Sequence, residues 1–458
     1  MKLKNALQLL LLATVLMFTA PSCVKEGPMG LTGAAGADGK DGTNGKDANE
    51  TCKMCHNPTK VDIIATQFEF SKHSYGEAAF TESGNTGCTP CHAQEAFKYV
   101  VENKVPATFT LNSATGKYVN NYATVASDAY GEIGCSTCHS SIHSTFGSTD
   151  MVFTTVAPVA LTFWGGTKTI DLPADGHSSN LCVKCHQPRP FTNALTGNVL
   201  DYNALATTTG VVFDGDPAGK TNIIKPSYRT HTHYGAVGLV YAGVGGVEFP
   251  GALQYTSSAH TTKAACTDCH MGAIVGRSGG HTFSAAGKFD GCNVTGCHST
   301  AITAASTTLW TNPRAEIKTL LATLATKLSV GSVEILNRNP VSAENFYLNI
   351  EGKPTLIGAN LWAGVTTNNY DGYLNIYDPI TNPGAQTYNA SSFQYVGTPP
   401  STWSQAQKDY NATLPKLTLS YTQMGAIINF QLCLRDYSLG IHNFAYTKAL
   451  LTNTIAKL

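Results

Sequence analysis

Charge is scarce in this chain: Asp, Glu, Lys and Arg make up only 13% of 458 residues, with 30 basic residues balancing 30 acidic ones. Such a balance supplies neither the basic patch of a nucleic-acid binder nor an acidic interaction tail. Methionine is also rare, at seven, which limits one class of metal ligand. Long apolar runs are missing except at the start. Ala6 to Phe18 is apolar apart from Gln8 and Thr14, follows Lys2 and Lys4, and is too short for a membrane span. No later segment is apolar enough to cross a bilayer. Glycine, at 43 residues, is abundant instead, and the composition predicts a loop-rich protein short of ordinary aliphatic core.

The basic start and short apolar run read as an export signal over residues 1–22. Ala20-Pro21-Ser22-Cys23 is similar to a lipoprotein cleavage box, with Pro21 departing from the small residue usual there. Cleavage at that box makes Cys23 the mature N-terminus and an acyl anchor to a membrane; an ordinary signal peptide cut nearby is the alternative. Gly27, Gly30, Gly33, Gly36, Gly39, Gly42 and Gly45 then recur every third residue. That is the collagen period, but a single proline (Pro28) makes a weak triple helix. Residues 23–49 are therefore expected to form a polar, extended stalk, with trimerisation through it as the sharper alternative.

Cysteine is present in quantity but not in a disulfide pattern. Of 14 cysteines, Cys23 ends the signal, Cys433 stands alone, and twelve form six close pairs, each followed directly by histidine. Five pairs match C-x-x-C-H: Cys52/Cys55 with His56, Cys88/Cys91 with His92, Cys135/Cys138 with His139, Cys182/Cys185 with His186, and Cys266/Cys269 with His270. The spacing has a chemical reason. Two thiols one turn apart can each add to one vinyl group of a haem, and the adjacent imidazole falls under the iron as proximal ligand. The sixth, Cys292/Cys297 with His298, has two extra residues between the thiols, where Gly296 helps the loop to bulge. A zinc site needs two cysteine pairs and no fixed adjacent histidine, so repeated motifs behind an export signal point to haem. Cys433, within Phe430-Gln431-Leu432-Cys433, reads as a buried small hydrophobe.

Eight histidines remain for the opposite faces: His73, His143, His177, His231, His233, His260, His281 and His442. After signal cleavage only Met29, Met54, Met151, Met271 and Met424 could compete. Met29 lies in the stalk, and Met54 and Met271 crowd their own proximal sites. Histidine on both faces is therefore expected, giving low-spin, low-potential haems. His143 follows His139 by four residues, so on a helix both share a face and His143 caps a neighbouring haem. His73 and His260 each precede a motif, His281 lies between the last two, and His442 starts the final helix. His177 and His231 are the expected spares, although either could replace a named ligand.

Several segments carry a family resemblance. Asn180-Leu181-Cys182 through His186-Gln187-Pro188-Arg189, then His233-Tyr234-Gly235, then Ser258-Ala259-His260 before Cys266 to Met271, resemble extracellular and outer-surface multihaem c-type cytochromes. Some members polymerise into haem wires. Asp436-Tyr437-Ser438-Leu439-Gly440-Ile441-His442-Asn443 is similar to the C-terminal ligand segment of several multihaem families. The resemblance covers residues 50–300 and 420–458. It implies that His233, His260, His281 and His442 are iron ligands.

The expected fold is mainly α with much irregular structure and short β-hairpins, a multihaem cytochrome c architecture with haems as the core. The hexahaem domain spans residues 50–300, and a C-terminal helical region, 301–458, supplies a distal histidine. A hairpin is predicted over Ala107 to Tyr118, and alternating strands over Val156 to Leu172 with a turn at Gly165-Gly166. A helix is predicted from Asn312-Pro313 with Ile317, Leu320, Leu321, Leu324 and Leu328 as its apolar stripe, and two more over Tyr421 to Arg435 and Asn443 to Ile455. The gap between the fourth and fifth motifs, and residues 335–415, read as largely irregular. Without haem the chain is expected to be largely unfolded. Haem propionates would also make the loaded protein acidic.

Function follows from six irons with both faces closed: electron transfer rather than catalysis. Redox proteins or extracellular acceptors are the expected partners, reached from an exported position on the outer membrane, at the cell surface or facing the periplasm. Two alternatives differ in class. A multihaem reductase of a small nitrogen or sulfur oxyanion needs an open iron or a proximal lysine, and no C-x-x-C-K segment exists. A haem-containing filament or homo-oligomer built through the stalk is the other.

Overall fold

A computed structural model describes residues 58–74, 85–124, 131–140, 151–213, 218–224, 230–233, 235–285, 287–298, 300–330, 333–338, 370–374, 388–389, 394–395 and 418–458. The signal segment, Cys23, the stalk, the first motif (Cys52, Cys55, His56) and His143 lie outside them. The protein is partly helical, with few and short strands.

Helix α1 (Pro58–Glu69) opens on a proline, whose missing N–H is no loss in a first turn. Two short helices follow, α2 (Thr89–His92) and α3 (Gln94–Glu102), the latter burying Ala96, Phe97 and Val100. The predicted hairpin is present as β1 (Phe109–Asn112) and β2 (Lys117–Asn120), with Phe109 opposite Asn120 and Asn112 opposite Lys117. After α4 (Cys135–Cys138), the 156–172 segment is shorter in strand than its alternation suggests. Only β3 (Val159–Ala160) and β4 (Thr169–Ile170) pair, because Thr162–Trp164 winds into a 3-10 turn that buries Phe163.

The gap expected to be irregular is mostly so among the described residues, with three short elements set in it. Between α5 (Ser179–Cys185) and α8 (His260–Lys263) lie α6 (Tyr202–Thr207), β5 (Val211–Phe213) and α7 (Val237–Ala242). Its extended parts are bolted to the C-terminal helices by buried amides. Asn429 takes the N–H of Val247 at 2.8 Å and donates to its carbonyl at 2.7 Å. Gln431 does the same with Thr232 N–H at 2.9 Å and Thr230 C=O at 3.2 Å. Asn453 does so with both backbone groups of Leu253. Buried backbone groups must find partners, and these side chains supply them where no strand neighbour exists.

After α9 (Cys266–His270) come α10 (Asn312–Lys327) and short strands β6 (Ser329–Val330), β7 (Val333–Glu334), β8 (Leu336–Arg338), β9 (Tyr370–Leu374), β10 (Tyr388–Asn389), β11 (Gln394–Tyr395) and β12 (Leu419–Ser420). Asn312 sits inside α10 rather than capping it, because a π-turn over Thr307–Thr311 leads in. The chain ends with α11 (Tyr421–Arg435) and α12 (Phe444–Lys457). Ser420 and Gln423 form a reciprocal capping box on α11, and the Asn443 side chain caps α12. Among the described residues, no helix is long and apolar enough to cross a membrane.

The aliphatic core is larger than the composition suggests. Ile317, Leu321 and Leu324 of α10, Met424, Ile427, Ile428 and Phe430 of α11, and Leu450 and Leu451 of α12 join Leu161, Phe163, Leu205, Leu239 and Phe249 in one buried cluster. Strand β12 also pairs with β5. The C-terminal helices and residues 159–249 thus share one core. Glycine-rich loops lower the average hydropathy without diluting the interior, since the apolar residues are concentrated on a few helix faces. Phe430 is fully buried, so Phe430→Ala is expected to cost about 3–5 kcal/mol, read as a lowered midpoint in chemical denaturation. An unshifted midpoint would show that this core is not what holds the fold.

Candidate haem-binding sites

Each described C-x-x-C-H segment lies on a helical turn. The His92 N–H reaches Cys88 C=O at 3.1 Å, His139 reaches Cys135 at 2.9 Å, and His186 reaches Cys182 at 2.9 Å; Cys266–His270 is helix α9. Residues at i, i+3 and i+4 share one helix face, so both thiols and the imidazole point the same way. The widened sixth motif is a chain of turns rather than a helix, with Cys297 N–H on Val294 C=O at 3.2 Å. Gly296 within it has φ +89, a left-handed value that glycine adopts without strain.

The histidines outside the motifs are brought to those inside them. Ring centres lie 5.8 Å apart for His92 and His233, 6.1 Å for His186 and His73, 6.2 Å for His270 and His442, and 6.1 Å for His298 and His260. These values have a simple meaning. A metal–imidazole bond is about 2 Å and the ring centre lies about 1.1 Å further on, so two imidazoles capping one metal hold their centres roughly 6 Å apart. The motif and non-motif members of each pair come from distant segments, so chain neighbourhood does not explain the spacing. His139 lies near enough to His281 for its charge to reinforce burial in holding His281 below its ordinary pKa.

Hydrogen bonds orient the rings. The Nδ1 atoms of His139, His186, His260 and His270 lie 2.9, 3.2, 2.9 and 2.9 Å from the carbonyls of Met151, Gly235, Ile441 and Phe283. A carbonyl can only accept, so the proton sits on Nδ1 and Nε2 keeps the lone pair that a metal needs. Burial favours the same neutral state. It holds His73 down at about 4, helped by His186 and His270, and His233 at about 3, helped by Arg189 and His92. His442 is the exception: burial pushes it down, but the charge and hydrogen bond of Asp436 outweigh that and raise it.

Thiols of different motifs also meet. Cys91 lies beside Cys185, and Cys182 beside Cys266. Cys269 lies near Cys292, close enough for its charge to help burial raise Cys269 to about 11. The sites therefore follow the spatial order second, fourth, fifth, sixth, with Cys138 of the third beside Cys182 and Cys185 of the fourth. Among the described residues, no three His, Cys, Asp or Glu side chains converge as they would around a bare metal ion. The donor sets are imidazole pairs with ring centres about 6 Å apart beside paired thiols, a set of donors that fits haem.

The two histidines set aside as spares lie elsewhere. His177 is exposed, with Nδ1 2.6 Å from Asp171, and His231 meets Arg435 Nη1 at 2.5 Å. Cys433 is buried among the helices. Some supporting residues carried no role in the sequence reading. Asn443 is fully buried and ties the backbone of Ser258 and Tyr241 to the start of α12, beside both His260 and His442. Gln67 of α1 accepts the backbone N–H of His281 at 3.1 Å. Asp436 is the third. An isolated amide or carboxylate has no spacing signature, so no pattern distinguishes these from solvated neighbours. Comparisons with family models, characterised proteins and solved structures returned no match.

Proposed function

We propose that the protein is a multihaem c-type cytochrome of the extracellular or cell-surface kind, moving electrons through six covalently attached haems. The observation that carries this reading is the set of His–His pairs at 5.8–6.2 Å, each joining a motif imidazole to a distant one. Haem would be held by the thiols of the six motifs, by His56, His92, His139, His186, His270 and His298 on one face, and by His73, His143, His233, His260, His281 and His442 on the other. Bound there, it supplies one-electron chemistry at iron with no open position for a substrate. The chain's own residues aim these imidazoles, through the carbonyls that His139, His186, His260 and His270 meet and through Asp436 at His442. The electron path runs through the second, fourth, fifth and sixth sites, with the third beside the fourth. An acyl chain on Cys23 and the glycine-repeat stalk would display this unit away from the membrane, facing redox proteins or extracellular acceptors.

Intact mass spectrometry tests the reading. The mature protein is expected to exceed its polypeptide and lipid by six haem increments. A mass with no porphyrin increments sinks the proposal.

A further inference from the structure

His442 differs from its counterparts in what it donates to. His139, His186, His260 and His270 each meet a backbone carbonyl. His442 Nδ1 instead lies 2.6 Å from the carboxylate Oδ1 of Asp436. That carboxylate is wholly buried, its side chain 0% exposed against 24% for the imidazole. Its other oxygen accepts from the Ser438 hydroxyl, which also accepts the backbone N–H of His442 at 3.1 Å. The carboxylate and imidazole are thereby locked into one small ring of contacts.

Two further observations set this pair apart. Asp436 occupies the C-terminal cap of α11, where the helix dipole opposes a negative charge and burial opposes it again. Helix stability alone would select almost any other residue. The backbone is also strained at this point. Tyr437 and Leu439 adopt left-handed φ values of 58 and 53, and Gly440 follows at 85. Bulky residues rarely accept that region, and where they do the surroundings usually enforce it for a purpose. Phe283, whose carbonyl orients His270, is left-handed too, at 53. Strain thus sits behind both imidazoles of one pair.

We propose that Asp436 is a positioning residue that lowers the redox potential of the haem held between His270 and His442. A carboxylate draws the Nδ1 proton toward itself and gives the imidazole imidazolate character. Nε2 becomes a stronger donor, which stabilises ferric iron more than ferrous. The inference rests on the haem reading above, and it assigns a distinct potential to one site among six.

Asp436→Asn in the haem-loaded protein is the test, since it keeps an oxygen to accept the hydrogen bond and removes the charge. One midpoint of six is expected to rise by about 59 mV, the equivalent of a tenfold weaker preference for the ferric state in a one-electron couple. Asp171→Asn, which strips the carboxylate from His177, is expected to move none. Six unmoved midpoints in an Asp436→Asn protein carrying all its haem overturn the inference while leaving the haem reading intact; a wild-type mass without haem would sink the parent reading instead. Should Asp436→Asn not accumulate fully loaded, the ferric wild-type protein decides by electron paramagnetic resonance. One low-spin signal displaced toward imidazolate ligation supports the role of Asp436. Signals all of the neutral-imidazole type overturn it.

Discussion

On the haem proposal, alanine at His233 is expected to turn one of six irons from low-spin to high-spin without loss of haem. The side chain is held close to His92 by its own segment, while the thioethers of Cys88 and Cys91 would keep the porphyrin attached. Removing the ring opens one face and leaves the proximal bond. The same outcome is expected for His73→Ala, His260→Ala and His442→Ala, one iron each. His177→Ala and His231→Ala should leave all six low-spin, because those rings face Asp171 and Arg435. Electron paramagnetic resonance and visible spectra read the result directly. A large high-spin fraction in the wild-type protein would instead favour a reductase with an open iron. A high-spin signal from His231→Ala would move that residue into the ligand set.

The haem-free protein is expected to come apart in one region and hold in another. A variant with alanine at all twelve motif cysteines should keep helical circular dichroism, while limited proteolysis cuts within residues 58–140. The reason is where apolar burial lies. Residues 159–458 contribute the large cluster built on α10, α11 and α12, whereas the separate cluster before it consists of Val100 and Tyr122, with Val101 and Val105 packed against them. Each fully buried side chain contributes about 1.5–3 kcal/mol, and ordering backbone costs about 1–2 kcal/mol per residue. The few buried side chains of residues 85–124, chiefly Ala96, Phe97, Val100 and Tyr122, contribute less than ordering that segment costs, and on the haem proposal the macrocycles make up the difference. The composition led to the expectation of a largely unfolded apoprotein, and the buried cluster confines the expected unfolding to the N-terminal part. Complete digestion of the variant would restore the composition-based view; complete protection would show that haem contributes little to folding.

Legibility from sequence tracked how local the signal was. The 107–118 hairpin, the stripe of α10 and the spans of α11 and α12 were readable because periodicity and capping act over a few residues. What holds the irregular gap between the fourth and fifth motifs in place was not. Its backbone is satisfied by Asn429, Gln431 and Asn453, roughly two hundred positions along the chain. The same limit hid Asp436 and Gln67, whose roles exist only through a partner brought in by folding.

The proposed attachment sites were written locally: thiols and imidazole at i, i+3 and i+4 meet on one helical turn whatever the rest of the chain does. Their number, and the surplus of histidine over methionine, followed from the residues alone. Which imidazole faces which was decided by tertiary packing. His73 opposite His186 and His442 opposite His270 are contacts closed across long stretches of chain. The physical reason is that a ligand pair needs both partners within a few ångströms, and only the assembled core sets that distance.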